Sequence, residues 1–260
     1  MTPHEYTEIT RKHRPDETVG DFVKRYASVP LKFNPGEEWE YSRSTDVLAY
    51  LVEILSGMSF NEYLRKHIYK PLKMKDTHHY LPQDKVDRLA TCYSPSSEGG
   101  LIVSDPGSVE SSYVREPHSY FGGHSGMVST AYDYYRFYQM LLNGGILDGE
   151  RVLGRKTVEL MTRNHTGDLV VDIMGLGYGF GLGFGIQKDP STVNTLTDNH
   201  ATLALPWSVG SYFWGGAFCT MAWADPVDDL VGVFMTQLNP NDHTSLRSDV
   251  VRSVYQALVD

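Results

Sequence analysis

Apolar residues recur at helical spacing up to about Asp168 and at strand spacing beyond it. Thr18 with Asp21 forms a capping-box-like start, and Phe22 with Tyr26 supplies an apolar face, which predicts a helix to about Ala27. Pro30 and Pro35-Gly36 punctuate the following loop. Ser44 or Thr45 is positioned to cap a second helix with Val47, Leu48, Leu51, Ile54 and Leu55 on its apolar face, ending at Gly57. Ser59 with Glu62 starts a third, carrying Phe60, Tyr63, Leu64 and Ile68 and stopped by Pro71. The expected product is a pair of antiparallel helices joined by a tight turn.

Residues 81–120, rich in Pro, Ser, Gly and Asp, read as a long loop. Thr130 then caps a helix with Tyr134, Phe137, Tyr138, Leu141 and Leu142 inward, closed by Gly144-Gly145, and a short helix follows Arg155. Gly175 to Ile186 alternates glycine with larger apolar residues, as in a twisted strand or bulged hairpin. No helix start or Lys-Ser/Thr pair follows it, so a phosphate cradle is disfavoured. Strands are expected over Ser211–Ala224 and Leu230–Leu238, on either side of a turn at Asp225-Pro226 and Asp228-Asp229. A terminal helix capped near Thr244 carries Leu246, Val250, Val254 and Leu258. Helices, then antiparallel strands, then a helix read as an α+β fold. One domain over residues 1–260 is expected, helix-rich over about 18–165, with a sheet and terminal helix over about 170–260.

A net charge of −9 argues against non-specific nucleic-acid binding, which needs Lys and Arg on phosphates, and against anionic membranes. The apolar runs are too short to span a bilayer, and the polar N-terminus has no signal-peptide core, so the default compartment is cytoplasmic. Two cysteines, Cys92 and Cys219, define no disulfide framework. His78-His79 lacks a metal-binding spacing and reads as a loop pair in solvent; His200 with Asp198 is similar. No metal or organic cofactor is called for.

Three stretches in order carry a family resemblance. Residues 34–77, NPGEEWEYSRSTDVLAYLVEILSGMSFNEYLRKHIYKPLKMKDT, place Tyr-x-Arg where a Tyr-x-Asn motif is expected, then a helix, a Ser-Gly corner and a second helix. Residues 122–153, GGHSGMVSTAYDYYRFYQMLLNGGILDGERVL, supply a Gly-rich turn, a Ser-Thr cap and a Leu-Leu-x-Gly-Gly ending. Residues 213–237, FWGGAFCTMAWADPVDDLVGVFMTQ, are similar to the strand with the third catalytic motif and its neighbour. The chain thus resembles the serine β-lactamase-related, penicillin-binding-protein-like hydrolases, specifically the class C β-lactamases and β-lactamase-like esterases, over most of residues 20–260. The resemblance implies an antiparallel sheet flanked by helices, beside a helical region.

These enzymes attack an acyl group with a serine, which needs a base and donors for the oxyanion. The resemblance puts Tyr41 in the base role. A phenol titrates near pH 10 in water, so it serves as a base only beside cations. The family supplies that cation as the lysine of Ser-x-x-Lys, whose serine is the nucleophile. No serine here has a lysine three positions on; Ser28 comes closest, with Lys32 four away beyond Pro30. The motif would also lie well before Tyr41. The expectation is therefore a chain lacking the N-terminal strands and the nucleophile helix, inactive by itself and prone to self-association through an exposed sheet edge.

Arg43 replaces the family Asn, a substrate-holding position. It is either a cation directed at Tyr41 or a surface residue at a helix start. Trp214-Gly215-Gly216 falls where β-lactamases carry Lys-Thr-Gly and esterase-like relatives often carry Trp-Gly-Gly. Without the ammonium that binds a substrate carboxylate, acyl esters are favoured over β-lactams, and a small-molecule ester or amide is the expected substrate of an active form. The resemblance makes the Ala217 N–H the oxyanion donor; a buried tryptophan on a core strand is the plain alternative for Trp214. Ser125, in Gly123-His124-Ser125-Gly126, misses G-x-S-x-G because Met127 stands two positions after it, and an adjacent histidine is not a triad. A non-catalytic binding protein reusing the cleft, and an intact hydrolase with a relocated nucleophile, are the two other readings.

Overall fold

The computed structural model describes residues 16–114, 118–192 and 205–259, together with Ile9 and Arg14. Helix α1 spans Val19–Tyr26. Its capping box is formed by Thr18 and Asp21, each side chain satisfying the other's backbone N–H. Helix α2 spans Ser44–Ser56 and stops at Gly57, whose φ of 68° is the left-handed conformation that glycine adopts without strain. Helix α3, Phe60–Leu64, starts from the Ser59–Glu62 capping box and continues as a π-turn over Arg65–Tyr69.

The segment expected to be a long loop contains structure. A 3-10 turn covers Gln83–Arg88, and strands β1 (Cys92–Pro95) and β2 (Leu101–Asp105) pair as an antiparallel hairpin. Helix α4, Ala131–Leu142, is capped by Thr130, whose side chain accepts from the Asp133 N–H. A two-residue-per-strand hairpin, β3 (Ile146–Leu147) with β4 (Glu150–Arg151), leads to helix α5, Arg155–Met161.

The main sheet is antiparallel throughout, with β5 (Tyr178–Phe180), β6 (Gly185–Gln187), β7 (Tyr212–Gly215), β8 (Met221–Asp225) and β9 (Leu230–Phe234) in that spatial order. The glycine-alternating segment is thus a hairpin, β5 to β6. Ser211–Ala224, expected as one strand, is instead β7, a turn and β8. The turn closes through Gly216 N–H to the Thr220 carbonyl at 3.0 Å and bends at Cys219, φ 63°. Helix α6, Leu246–Gln256, ends the described chain.

Strand alternation divides the core. Tyr212, Ala222 and Ala224 face α4 and pack with Tyr138, Met140, Leu141, Phe184 and Leu72. Phe213, Met221 and Trp223 face the other way and pack with Val251 of α6, Tyr178 and Trp207. Each wholly buried leucine or methionine here contributes roughly 1.5–3 kcal/mol. A smaller cluster, Val19, Phe22, Val23, Ala49 and Tyr120, fastens α1 to α2.

The apolar face of the second helix is uncovered. Its buried residues are Asp46 and Ala49, whereas Leu48 and Ile54 are each 60% exposed and Leu55 is 78% exposed. Val47 and Leu51 are exposed too. Periodicity correctly grouped these five on one face, but in this chain that face meets solvent. Strand β9 is an edge of the described sheet. No helix among the described residues is long and apolar enough to cross a membrane.

Candidate functional site

A cleft of about 1640 Å³ lies between the helical region and the end of β7. Tyr41, Trp214, Gly215, Gly216 and Ala217 all line it, as do His124 and Ser125. Tyr41 precedes α2 in a turn where the Ser42 hydroxyl accepts from the Ser44 N–H at 3.2 Å. Its ring is 53% exposed and lies 6.0 Å from that of Trp214, tilted by 32°. Trp214 shares a strand face with Tyr212 but stands half-buried, beyond the core cluster. Phe180 meets it edge-on at 5.2 Å, and Trp39 meets Phe180 at 5.2 Å, so four aromatic rings form one wall.

The turn after Trp214 presents backbone. The Ala217 carbonyl accepts from Asn241 Nδ2 at 2.7 Å, and the Ala217 N–H donates to no acceptor among the described residues. The Gly216 carbonyl accepts from Arg247. A Cβ on Gly215 would lie 3.3 Å from the Arg247 guanidinium carbon, which places a cation beside the strand that sequence reading found bare. Arg247 comes from α6, with no local signal linking it to β7.

Arg43 sits at the start of α2. Its guanidinium lies 5.5 Å from the centre of the Phe22 ring, 3.7 Å from the Asp46 carboxylate and 3.3 Å from His124 Nδ1. These contacts turn it toward the core of the helix start.

Asp46, which sequence reading passed over, organises the glycine-rich turn at residues 122–126. Its carboxylate is fully buried. It accepts from the Gly123 N–H at 2.8 Å, the His124 N–H at 3.2 Å, the Tyr120 hydroxyl at 2.9 Å and His124 Nδ1 at 2.9 Å. Burial opposes the charge, but the hydrogen bond and electrostatic attraction from His124, with the Tyr120 and backbone donors, outweigh it and hold the carboxyl below its ordinary range. Tyr120 responds in the opposite sense: burial and the adjacent Asp46 carboxylate raise its phenol. The two glycines permit this docking. A Cβ on Gly122 would lie 2.7 Å from the Tyr120 ring, and one on Gly123 would overlap the Thr45 carbonyl oxygen.

Beyond the buried carboxylate, His124 Nε2 lies 2.6 Å from Ser125 Oγ. The adjacency set aside in the sequence therefore acquires the acid partner it lacked. His78 and His79 are not a solvent pair. His79 is 2% exposed, its Nε2 lies 3.2 Å from the Gly122 carbonyl, and burial lowers its basicity; His78 Nε2 lies 3.3 Å from Lys85 Nζ. Asp198 and His200 fall outside the described residues. Among the described residues no three His, Cys, Asp or Glu side chains form a metal-binding group.

An antiparallel sheet packed between helices is the arrangement of the β-lactamase/transpeptidase-like fold. The beta-lactamase family profile matches residues 2–256, and the chain belongs to that family. Protein Rv1367c of Mycobacterium tuberculosis is 30% identical over 224 residues, covering 83% of this chain and 52% of the relative. Esterase EstB of Burkholderia gladioli is 26% identical over 221 residues, covering 78% and 50% respectively. The chain spans about half the length of these curated relatives. Among solved structures, EstCE1, a hydrolase with promiscuous acyltransferase activity, superposes with a TM-score of 0.72 at 23% identity, covering 93% of this chain and 62% of that one. It supports the fold.

Proposed function

We propose that this chain carries the substrate-holding sides of an acyl-ester hydrolase site. The observation that carries this is the pairing of Tyr41 with Trp214 across the cleft at 6.0 Å, next to an Ala217 N–H with no protein acceptor among the described residues. In this reading Tyr41 is base-like, the Ala217 N–H holds the oxyanion, and Trp214, Gly215 and Gly216 seat the acyl group. Arg43, turned toward the helix start, reaches this site only through its contact with His124. Trp214 gives an apolar face rather than an ammonium, which favours small-molecule esters over β-lactams; the 26% identity to an esterase supports the same class.

No Ser-x-x-Lys occurs in the 260 residues, so this chain alone does not turn over substrate by the family route. That absence favours a second reading, a non-catalytic protein that binds esters in the same cleft. The exposed α2 face and the β9 edge support association of two copies.

The test is ligand binding followed by tryptophan fluorescence, with a non-hydrolysable aryl-ester analogue and a penicillin compared on the purified chain. Saturable quenching by the ester analogue, lost in Trp214→Ala, is expected. Equal or tighter binding of the penicillin would sink the ester assignment.

A further inference from the structure

Four features meet at the glycine-rich turn. A buried carboxylate, Asp46, contacts His124 Nδ1 at 2.9 Å; His124 Nε2 contacts Ser125 Oγ at 2.6 Å; Ser125 is exposed; and the three lead from the core outward to the same cleft as Trp214. We propose that Ser125 is an acylation-competent nucleophile, with His124 as its base and Asp46 as the group that orients and charge-stabilises that base. It goes beyond the function proposed above, sharing the cleft but neither the Ser-x-x-Lys nucleophile nor the Tyr41 base.

The tautomer follows from competing contacts. Asp46 can only accept from Nδ1, and Arg43 can only donate to it. The carboxylate is closer, 2.9 Å against 3.3 Å, and a charge-assisted N–H···O bond is the stronger. The proton therefore resides on Nδ1, which leaves the Nε2 lone pair facing the Ser125 hydroxyl. That is the arrangement a serine triad requires, defined by geometry and role rather than by chain order.

The carboxylate's remaining lone pairs are occupied by Gly123 N–H, His124 N–H and Tyr120, so it is held in place before any substrate arrives. The N–H groups of Ser125, Gly126 and Met127 donate to no acceptor among the described residues, and Gly126 turns the chain at φ 101°. The nucleophile's own N–H and its neighbour are thus available to an oxyanion.

The chemistry balances without a further reagent. Ser125 Oγ bonds to the ester carbonyl carbon as its proton passes to His124 Nε2. The imidazolium, stabilised by Asp46, returns that proton to the departing alkoxide as the carbon–oxygen bond breaks, leaving an acyl-Ser125 and a free alcohol. Water, deprotonated by His124, then releases the carboxylic acid and restores the hydroxyl.

The experiment is labelling of the full chain with an alkyl fluorophosphonate, which loses fluoride to an activated serine, followed by peptide mass spectrometry. The adduct is expected on Ser125, absent from Ser125→Ala, and formed at least ~100-fold more slowly in His124→Gln, in line with loss of a general base. Ser125→Ala removes only an exposed hydroxyl and leaves the Asp46 network intact, so its result is not a folding effect. No adduct, an adduct only on another serine, or a Ser125 adduct whose rate is unchanged in His124→Gln would each overturn the proposal. The probe carries neither carboxylate nor β-lactam ring, so its failure would leave the ester preference at Trp214 standing.

Discussion

Replacing Asp46 with Asn separates charge from shape at the centre of the turn. Asn is nearly isosteric, and its carbonyl oxygen can still accept from the backbone N–H groups of Gly123 and His124. What disappears is the charge on a group that accepts four hydrogen bonds while fully buried. Bonds to a charged partner contribute about 1.5–3 kcal/mol, and neutral ones about 0.5–1.5 kcal/mol. Downgrading most of the four, and leaving Arg43 without its carboxylate, gives a loss of about 2–4 kcal/mol. For a chain of this size that corresponds to a fall in Tm of roughly 5–12 °C.

Urea denaturation followed by circular dichroism measures the difference, and its pH dependence tests the cause. The folded-state pKa of Asp46 is depressed, so its contribution is fully present above the unfolded carboxyl value of about 3.9 and is lost as pH falls through the folded value. The gap between wild type and Asp46→Asn should therefore be constant from about pH 7 to pH 5 and close below pH 4. A gap under about 0.5 kcal/mol at neutral pH, or one that persists unchanged in acid, would refute the account of Asp46 as a charged clasp.

Three further outcomes are expected. Gly123→Ala forces a Cβ into the Thr45 carbonyl and should cost about 1–3 kcal/mol while loosening the turn, so fluorophosphonate labelling of Ser125 should fall with urea stability. Leu48→Glu with Leu51→Lys, both at exposed α2 positions, should shift the chain toward monomer in sedimentation velocity with stability changed by no more than about 0.5 kcal/mol each; a wild type monomeric at all concentrations would contradict the association proposal. Trp214→Lys should raise affinity for a carboxylate-bearing ligand roughly tenfold, the value of one charge-assisted hydrogen bond, and weaken the ester analogue in the same binding assay.

Much of the helical part was legible because its signals are local. Thr18 with Asp21, Ser59 with Glu62, and Thr130 capping Asp133 each act within one turn, and Gly57 and Gly144 end helices through conformations glycine adopts freely. The β7–β8 turn was hidden because Phe218 and Cys219 continue an apolar run and Cys219 takes the left-handed conformation usually given to Gly or Asn. The α2 face was grouped correctly, but periodicity says which residues share a face and not what covers it. At the site, Tyr41 and Trp214 were reached through family resemblance, and the structure sets them side by side. Asp46 with His124 and Arg247 with Gly216 are long-range pairs between polar residues, for which hydrophobic patterning carries no signal.

The order of burial along the Asp46 relay bears on what it is for. A network built only to fasten a loop is complete once its buried groups are satisfied. Asp46 reaches that point with its backbone and Tyr120 donors, which already tie the turn to the start of α2. His124 adds a fourth donor and then directs its second nitrogen outward. Side-chain exposure rises from 0% at Asp46 to 19% at His124, and the next atom is the hydroxyl of exposed Ser125, not a core acceptor. Fastening accounts for the inner half of that series and not for the outer half. Asp46→Asn should therefore affect both stability and Ser125 labelling, whereas Ser125→Ala should abolish labelling and leave stability untouched. That split in response is what a relay toward solvent requires and what a structural clasp alone does not produce.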